Sequence, residues 1–222
     1  MADTRFRDRK EAGTRLAEVL AEMDVESNAV VLGLPRGGVP VGYEIARQLH
    51  LQLDFLNIRK LGVPWQPEVA MGAVGEDGIP HLNSELVRSL AITSEQIKRV
   101  RDLELSVIYE RKKAYRGYAP TADLQGRQVI LVDDGIATGA TMDLAIEMVR
   151  NAGARSLIVA IPAGPEGTTD KYGDMVDHCI CLQEPADFNY VGQFYLNFAP
   201  VTDEEVCELL LASFEDLNRG AS

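Results

Sequence analysis

Two adjacent carboxylates, Asp133 and Asp134, lie between the apolar run 129–132 and a loop of glycine, alanine and threonine. The run has the length of a buried strand, and the apolar spacing that begins at Met142 is typical of a helix. The loop 135–141 would therefore lead into a helix N-terminus, whose unpaired N–H groups bind phosphate without a lysine. In an open parallel sheet, ligands bind at this end of the strands. The pattern predicts a phosphate site with two carboxylates beside it.

The two acids are expected to have different tasks, because successive side chains of a strand point to opposite faces. A carboxylate repels phosphate unless something lies between them. Ribose hydroxyls and Mg²⁺ are suited to lie between the carboxylates and the phosphate, since both pair with oxygen acceptors. The magnesium-binding strand of P-loop nucleoside triphosphatases has a similar acidic end, but that alternative requires a Gly-x-x-x-x-Gly-Lys-Ser/Thr loop, which the sequence does not contain. The acids therefore favour a ribose-phosphate site.

A second strand–loop–helix pattern holds Arg36, Gly37 and Gly38 between an apolar run at 29–34 and a helical pattern at 41–49. Backbone amides together with a guanidinium group would bind an anion here. The alternative is a surface arginine beside an ordinary tight turn. Without the aspartate motif, the two interpretations are equally supported.

Two further cations, Arg59 and Lys60, end the next strand pattern at 53–58. Either they face a bound anion, or their long side chains extend from the strand end into solvent. A later basic cluster at 111–118 ends a long helical pattern that begins with a capping signal. Favourable charge at a helix C-terminus is the preferred explanation for this cluster, and Arg116 is the member expected to reach a phosphate if one binds.

The stretch from the apolar run to the end of the loop resembles a known motif. Residues 129–141 look like the phosphoribosyl-pyrophosphate-binding motif of type I phosphoribosyltransferases, from both acids through the Thr-Gly-x-Thr ending. The resemblance implies that Asp133 and Asp134 hold the ribose hydroxyls and contribute to Mg²⁺ binding mainly through the bound ligand. It also implies that the loop cradles the 5-phosphate. The loop positions that take this role are Gly135, Ile136, Ala137, Thr138, Gly139, Ala140 and Thr141.

The resemblance extends to the two shorter basic segments. Xanthine and related transferases have a similar Arg-Gly-Gly after their first sheet strand, which implies pyrophosphate contact for Arg36, Gly37 and Gly38. In the family this loop often contains a non-proline cis peptide. Adenine and xanthine transferases have a similar Arg-Lys pair at a strand end, and the resemblance favours Lys60 as the cation that faces pyrophosphate. The expected catalytic residues are Arg36, Lys60, Asp133 and Asp134.

Two segments outside the motifs are expected to cover the site. In this family the stretch between the second and third core strands carries a lid, which implies that role for residues 62–120. A lid keeps the reactive sugar cation from water. Residues 184–200 resemble the hood of purine transferases, in which an aromatic side chain stacks on the base, and Phe188 and Tyr190 are the candidates for it. The alternative is a satellite apolar cluster that seals the edge of the sheet.

One position departs from part of the family. Many 6-oxopurine transferases place an aspartate just before the Thr-Gly, where this chain has Ala137. Adenine transferases also have alanine there, so the departure argues against hypoxanthine or guanine and not against transfer itself. Glu68 is a candidate substitute acid or base that contacts the acceptor. The whole pattern is most similar to uncharacterised bacterial and archaeal phosphoribosyltransferase-domain proteins.

The bulk composition is that of a globular α/β protein. The chain has 222 residues, of which 46% are hydrophobic and 25% charged, and a net charge of −12. Alternating strand and helix patterns predict a doubly wound, mainly parallel α/β sheet in a single domain spanning residues 1–222. The negative charge argues against nucleic acid as a partner. No apolar run is long enough for a membrane span, the N-terminus lacks a signal core, and the expected location is the cytoplasm.

These features predict a Mg²⁺-dependent enzyme that transfers the 5-phosphoribosyl group from phosphoribosyl pyrophosphate to a nitrogenous base and releases pyrophosphate. The expected partners are these two substrates, and a homodimer is the candidate assembly. A non-catalytic sensor of phosphoribosyl pyrophosphate or of a nucleotide is the main alternative, and a phosphohydrolase is a third. Arg36 and Lys60 favour the enzyme, because a sensor of the 5-phosphate alone would not need them. The identity of the acceptor and of the general acid or base is left open.

Overall fold

The structure, a computed structural model, describes residues 4–118 and 121–220. Its strands, in chain order, are β1 (Val30–Gly33), β2 (Gln52–Phe55), β3 (Arg59–Val63), β4 (Gln66–Val74), β5 (Pro80–Leu82), β6 (Gln128–Val132), β7 (Ser156–Ala163) and β8 (His178–Gln183). Its helices are α1 (Arg9–Ala21), α2 (Gly38–Leu49), α3 (Ser84–Ser89), α4 (Ser94–Tyr115), α5 (Ala140–Asn151), α6 (Thr168–Gly173) and α7 (Asp203–Gly220), with a 3-10 turn at Val191–Phe194. None of these described helices is both long and apolar enough to cross a membrane.

A parallel sheet with the strand order β2-β1-β6-β7-β8 forms the centre of the fold. Strands β1, β6 and β7 are apolar and almost wholly buried, as is usual for parallel strands covered on both faces. The chain leaves β1 toward β2 and later continues from β6 in the other direction, so the strand order reverses between β1 and β6. The loops that follow these two strands therefore open side by side at the carboxyl edge of the sheet, where open α/β sheets bind ligands.

Helices cover both faces of this sheet. On one face α1, α2 and α7 contribute Leu16, Ile45 and Leu210 to a core that also holds Val31 and Ile130. On the other face α5 and α6 pack against the intervening strand residues. Each fully buried Leu, Ile or Val contributes about 1.5–3 kcal/mol of transfer free energy, so the two cores hold the sheet and the loops at its edge in place. The predicted doubly wound α/β fold is confirmed.

A second sheet, with the antiparallel order β3-β4-β5, lies in the predicted lid region together with α4. It has a core of its own, in which Leu61 and Ile108 are fully buried. Its strand β4 has nine residues and begins at Gln66. We call residues 59–115, from β3 to the end of α4, the insertion segment. Its role as a lid stays a prediction.

The end of the predicted hood segment lies against the start of the chain. A short parallel bridge joins Phe6 and Tyr195. These two side chains and Phe194 form an apolar cluster that also includes Ala163 at the end of β7. The cluster places the segment after β8 over the carboxyl edge of the sheet.

Candidate functional site

The loops that follow β1 and β6 contact each other where the strand order reverses. The N–H of Leu34 donates to the carbonyl of Val132 (2.8 Å). A Cβ added to Gly38 would lie 2.5 Å from the carbonyl oxygen of Val132, and one added to Gly37 would lie 1.9 Å from Oδ2 of Asp134. A side chain at Gly38 would push the two loops apart, and a side chain at Gly37 would displace the carboxylate of Asp134. The two segments predicted to bind anions thus adjoin each other.

The loop between β6 and α5, residues 135–141, is called here the phosphate loop. Gly135 (φ 152°) and Gly139 (φ 85°) have backbone conformations that favour glycine, and they turn the chain into α5. The N–H of Ile136 donates to the carbonyl of Ala163 (2.9 Å). Within the described residues, no acceptor pairs with the later N–H groups of the loop, and no side chain caps α5. This arrangement suits an anion.

The two aspartates have little compensating positive charge. The N–H of Asp134 donates to Oδ1 of Asp133 (2.8 Å), and Arg9 donates to Oδ2 of Asp134 (2.7 Å). Burial raises the pKa of Asp133 well above its ordinary value, and the charge of Asp134 raises it further. Burial also raises the pKa of Asp134, although Arg9 acts in the opposite direction. A cation or hydroxyl donors beside the pair would therefore be favoured.

Residues from distant parts of the chain hold Asp134 in place. The Arg9 guanidinium donates to the carbonyl of Ala199 (2.8 Å) and lies 4.0 Å from the centre of the Phe198 ring. The hydroxyl of Tyr195 donates to the backbone carbonyl of Asp134 (2.7 Å). Arg9 is separated from Asp134 by 125 positions in sequence. No local pattern in the sequence identifies Arg9 as part of the site.

Arg36 lies close to other arginines. The peptide bond before it is cis, and its Nη1 is 3.9 Å from Oδ2 of Asp203 at the start of α7. Nε of Arg111, in the last turns of α4, is 3.6 Å from Oδ1 of the same carboxylate. Arg59, at the start of β3, adds positive charge near Arg111. We call Arg36, Arg59 and Arg111 the arginine group. The sequence pattern assigns Arg111 only to favourable charge at a helix end.

Lys60 and Glu68, two predicted site residues, pair with each other across β3 and β4. Nζ of Lys60 is 3.3 Å from the carbonyl oxygen of Glu68 and 4.0 Å from its carboxylate. Glu68 and Thr138 line the same cleft of about 810 Å³ between β4, β5 and α5. Glu68 therefore lies on the cleft that borders the phosphate loop. Contact of Lys60 with pyrophosphate stays a prediction, and the structure places its neighbour Arg59 in the arginine group.

Arg116 is not free to reach a phosphate, which corrects the expectation for the basic cluster. Its guanidinium binds the carboxylate of Asp54 and lies 4.1 Å from the centre of the Phe55 ring. Asp54 is 2% exposed and also accepts a hydrogen bond from the N–H of Ala122 (2.8 Å). A carboxylate this deeply buried needs a cation. The sequence does not indicate that the acid within β2 is buried, and the role of Arg116 follows from that burial.

The predicted hood segment covers the phosphate loop through Val191. A Cβ added to Gly135 would lie 2.5 Å from Cγ1 of Val191. Phe188 stacks on Phe194 with ring centres 5.3 Å apart, at the edge of the apolar cluster described above. This contact agrees with the alternative of a satellite apolar cluster. Tyr190 is 63% exposed, and stacking of either ring on an acceptor base stays a prediction.

Another basic side chain, Lys171 of α6, lies behind the phosphate loop. A Cβ added to Gly139 would lie 2.7 Å from Nζ of Lys171 and 2.4 Å from the hydroxyl of Tyr172. Lys171 and Tyr172 each donate to Asp143, in the first turn of α5, at 2.9 Å. These bonds tie α6 to the turn that begins α5, so Gly139 has no room for a side chain. No motif in the sequence signals this role for Lys171 or Tyr172.

Sequence comparisons point to one family of proteins. Residues 6–198 match the phosphoribosyl transferase domain family. The predicted phosphoribosyl transferase Rv0571c of Mycobacterium tuberculosis is 42% identical over 211 residues, which cover 95% of this chain and 47% of that protein. The chain thus spans about half the length of this curated relative. An amidophosphoribosyltransferase of Pyrococcus horikoshii is 31% identical over 131 residues, covering 56% of this chain and 25% of that protein.

A solved structure shares the fold over nearly the whole chain. The crystal structure of TT1426 from Thermus thermophilus is 42% identical in sequence and superposes with a TM-score of 0.78. The match covers 94% of this chain and 98% of that one. With the matched family domain and the reversal of strand order between two glycine-rich loops, these similarities show that the chain belongs to the phosphoribosyltransferase family.

Proposed function

We propose that this chain transfers the 5-phosphoribosyl group of phosphoribosyl pyrophosphate to a nitrogenous base, with Mg²⁺ as cofactor and with release of pyrophosphate. One observation carries the proposal. The loop that holds Arg36 and the loop that follows β6 adjoin each other, and the carboxylates of Asp133 and Asp134 lie at their junction. A sugar with a phosphate at one end and a pyrophosphate at the other matches two anion-binding loops separated by acceptors for hydroxyl groups.

Each part of this donor has a matching protein group. The 5-phosphate would accept hydrogen bonds from the N–H groups of the phosphate loop. The ribose hydroxyls would donate to Asp133 and Asp134, and the pyrophosphate would lie against Arg36, Gly37 and Gly38. A sugar held at three points presents its C1 carbon to the acceptor in a fixed geometry, which lowers the entropic part of the barrier.

The proposed reaction replaces one bond at C1 of the ribose with another. The bond from C1 to the pyrophosphate oxygen breaks, and its electron pair leaves with pyrophosphate. A nitrogen of the acceptor supplies the pair for the new C1–N bond, and the ring is positively charged in the transition state. The acid pair stabilises that charge, and Arg36 stabilises the charge on the leaving group. Glu68, on the cleft, is the candidate to accept the proton that the acceptor nitrogen loses.

Magnesium fits this site as an ion held partly by the ligand. Among the described residues, no group of three or more histidine, cysteine or acidic side chains could hold a metal. Asp133 and Asp134 offer hard oxygen ligands, and the raised pKa of Asp133 is consistent with a shortage of positive charge beside it. Mg²⁺ commonly binds through one or two carboxylates, waters and substrate phosphates. When bound, the ion would neutralise charge on the pyrophosphate.

The acceptor would enter through the cleft between β4, β5 and α5. Its lining includes the polar side chains of Glu68, His81, Asn83 and Thr138. Ala137 stands where many 6-oxopurine enzymes have an aspartate, so we propose an acceptor other than hypoxanthine or guanine. Tyr190, an exposed ring in the hood segment, would stack on it.

The test measures pyrophosphate release from phosphoribosyl pyrophosphate and Mg²⁺ with a panel of purines, pyrimidines and small amines. We expect release with at least one acceptor. Asp134→Asn should weaken binding of phosphoribosyl pyrophosphate, because the ribose loses a charged hydrogen-bond acceptor. The matched control, Asp174→Asn, changes an exposed carboxylate at the end of α6 and should leave binding and release unchanged.

Two outcomes would contradict the proposal. Clear binding of phosphoribosyl pyrophosphate without release of pyrophosphate with any acceptor would overturn the enzyme and support the sensor. Unchanged binding by Asp134→Asn would show that the ribose does not contact this carboxylate. Cytoplasmic location and a homodimeric assembly stay predictions from the sequence, and the pyrophosphate-release assay tests neither.

A further inference from the structure

The members of the arginine group come from separate parts of the chain, and the charges of Arg36 and Arg59 both act on Arg111. The pKa of Arg111 is lowered, mainly by burial, and the charges of Arg59 and Arg36 lower it further. Only 11% of the Arg111 side chain is exposed, and within the described chain its Nε has no hydrogen-bond partner. Arg59 is bound to Glu104 (2.6 Å). A buried cation with an unused donor, held against like charges, favours the binding of an anion.

The carboxylate of Asp203 lies between two of these arginines. Its oxygens are 3.6 Å from Nε of Arg111 and 3.9 Å from Nη1 of Arg36. Both distances exceed the length of a hydrogen bond, so Asp203 compensates charge without filling either donor. The same carboxylate accepts a hydrogen bond from the hydroxyl of Tyr115. About half of the Asp203 side chain, 45%, is exposed, so the carboxylate has access to water.

We propose that Arg111 binds the pyrophosphate group of the donor together with Arg36, and that Asp203 competes with pyrophosphate for these two cations. Phosphate oxygens accept short, charge-assisted hydrogen bonds, and a guanidinium fork binds two of them at once. Pyrophosphate therefore fills donors that Asp203 leaves unfilled, while the displaced carboxylate is hydrated. The inference rests on the proposed function, because it places the pyrophosphate end of the donor at Arg36.

The first test compares Arg111→Gln with wild type by calorimetry, using pyrophosphate, phosphoribosyl pyrophosphate and ribose 5-phosphate, each with Mg²⁺. Loss of charged hydrogen bonds should weaken binding of pyrophosphate and of phosphoribosyl pyrophosphate by about tenfold to hundredfold. Binding of ribose 5-phosphate should not change, because its phosphate lies at the phosphate loop. Arg111→Lys should be intermediate, since it keeps the charge and loses the fork. The control is Lys113→Gln, an exposed cation on the same helix.

The second test changes Asp203, the proposed competitor, whose substitution should have the opposite effect on pyrophosphate binding. Asp203→Asn keeps an acceptor for Tyr115 and removes the charge that faces Arg36 and Arg111. It should tighten pyrophosphate binding by about threefold to fivefold, the value of a half-exposed ion pair. A carboxylate that only supports the fold would weaken binding or leave it unchanged when substituted. Thermal unfolding of each variant establishes that the protein compared is folded.

The outcomes separate this inference from the proposed function. If wild type and Arg111→Gln bind phosphoribosyl pyrophosphate equally well, the inference is wrong and the transferase proposal stands. If Arg111→Gln weakens binding of ribose 5-phosphate as much as that of pyrophosphate, Arg111 has a structural role and the inference is also wrong. If wild type binds neither phosphoribosyl pyrophosphate nor pyrophosphate, both proposals fail.

Discussion

The phosphate loop and the arginine group both suit phosphate oxygens, but they are built from different parts of the chain. The loop is a contiguous stretch whose backbone N–H groups after Ile136 have no acceptor among the described residues. The arginine group takes side chains from three separate elements, and the carboxylates of Glu104 and Asp203 lie against it. At the loop, no acceptor among the described residues competes with a ligand for these N–H groups. A ligand at the arginine group must compete with carboxylates that the protein supplies.

This difference has consequences for the specificity and the salt dependence of binding. Backbone donors fixed by a turn bind an anion of one size at little cost in side-chain entropy, so the loop suits the constant 5-phosphate. Guanidinium groups on long side chains bind strongly, yet they depend on their neighbours and are screened by salt. We therefore expect pyrophosphate binding to weaken more steeply with ionic strength than binding of ribose 5-phosphate.

The largest effect should come from the contact between the loop that holds Arg36 and the strand end that leads into the phosphate loop. Gly38→Ala places a Cβ 2.5 Å from the carbonyl oxygen of Val132 and 2.9 Å from Cα of Asp133. Both are backbone atoms, so one of the two loops must move, and activity should fall by about a hundredfold or more. Overpacking should also lower the free energy of unfolding by about 1–3 kcal/mol. Pyrophosphate release and urea unfolding measure the two effects.

The control for this substitution is Gly173→Ala, because a Cβ at Gly173 meets nothing within 4 Å. It should leave both activity and stability close to wild type. Wild-type activity in Gly38→Ala would contradict the conclusion that the two loops must adjoin each other.

At the acid pair we expect a smaller effect on activity and an effect of similar size on the free energy of unfolding. Arg9→Gln leaves the carboxylate of Asp134 without its bound cation and should lower the free energy of unfolding by about 3 kcal/mol. Arg9 lowers the pKa of Asp134. In the variant, the pH below which phosphoribosyl pyrophosphate binding is lost, the acid limit of binding, should therefore be higher. The control is Lys10→Gln, whose side chain is 68% exposed and 4.0 Å from Glu44. An acid limit that stays in place would show that Arg9 does not control the charge of Asp134.

The acid pair itself should affect stability in a pH-dependent way. The pKa of Asp133 is raised in the folded protein above its ordinary value of 3.8, so the folded state holds this proton more tightly than the unfolded chain. Its contribution is therefore complete below about pH 3.8 and is lost as the pH rises through the folded pKa. Asp133→Asn should remove this loss and raise the free energy of unfolding at pH 8 by about 1 kcal/mol. Urea unfolding from pH 4 to pH 8 measures this pH dependence. If the free energy of unfolding varies with pH in the same way in Asp133→Asn and in wild type, the prediction is wrong.

The smallest effect should come from a side chain of the phosphate loop. Thr138→Val removes one hydroxyl and keeps every backbone donor, so binding of ribose 5-phosphate should weaken by only about threefold. Calorimetry on this variant beside Arg111→Gln compares the two regions directly. A loss at Thr138 as large as the loss of pyrophosphate binding at Arg111 would show that the loop does not act mainly through its backbone.

The same difference explains how much of the molecule could be predicted from sequence. The parallel sheet and the phosphate loop follow from periodicity and from a contiguous run of residues, so both could be predicted. Arg9, Arg111 and Asp203 lie far from the motifs in sequence and meet them only after the helices pack. The expectation for Arg116 is wrong because the burial of its partner, Asp54, depends on tertiary packing.

The hairpin of the insertion segment shows another limit of sequence patterns. Pro64 and Pro67 indicate a loop, because proline cannot donate to a β ladder. Pro64 does lie in the turn between β3 and β4, whereas the ladder accommodates Pro67 with register shifts on both sides of Gly62. A Cβ at Gly62 would lie 2.5 Å from the carbonyl oxygen of Pro67, so the strand opposite the second proline approaches closely. Pairing of the strands outweighs the local preference of Pro67.

The separate core of the insertion segment bears on the order in which the protein opens. Leu61 and Ile108 pack with neighbours from the antiparallel sheet and α4, apart from the two cores of the main sheet. Groups of residues with their own core often exchange amide hydrogens as one cooperative unit. Opening of this unit would withdraw Arg59 and Arg111 together and leave the phosphate loop folded. Native-state hydrogen exchange should then show the amides of the insertion segment opening together, at a lower free energy than those around the phosphate loop. Such an opening would remove contacts with the leaving group and keep those with the sugar phosphate.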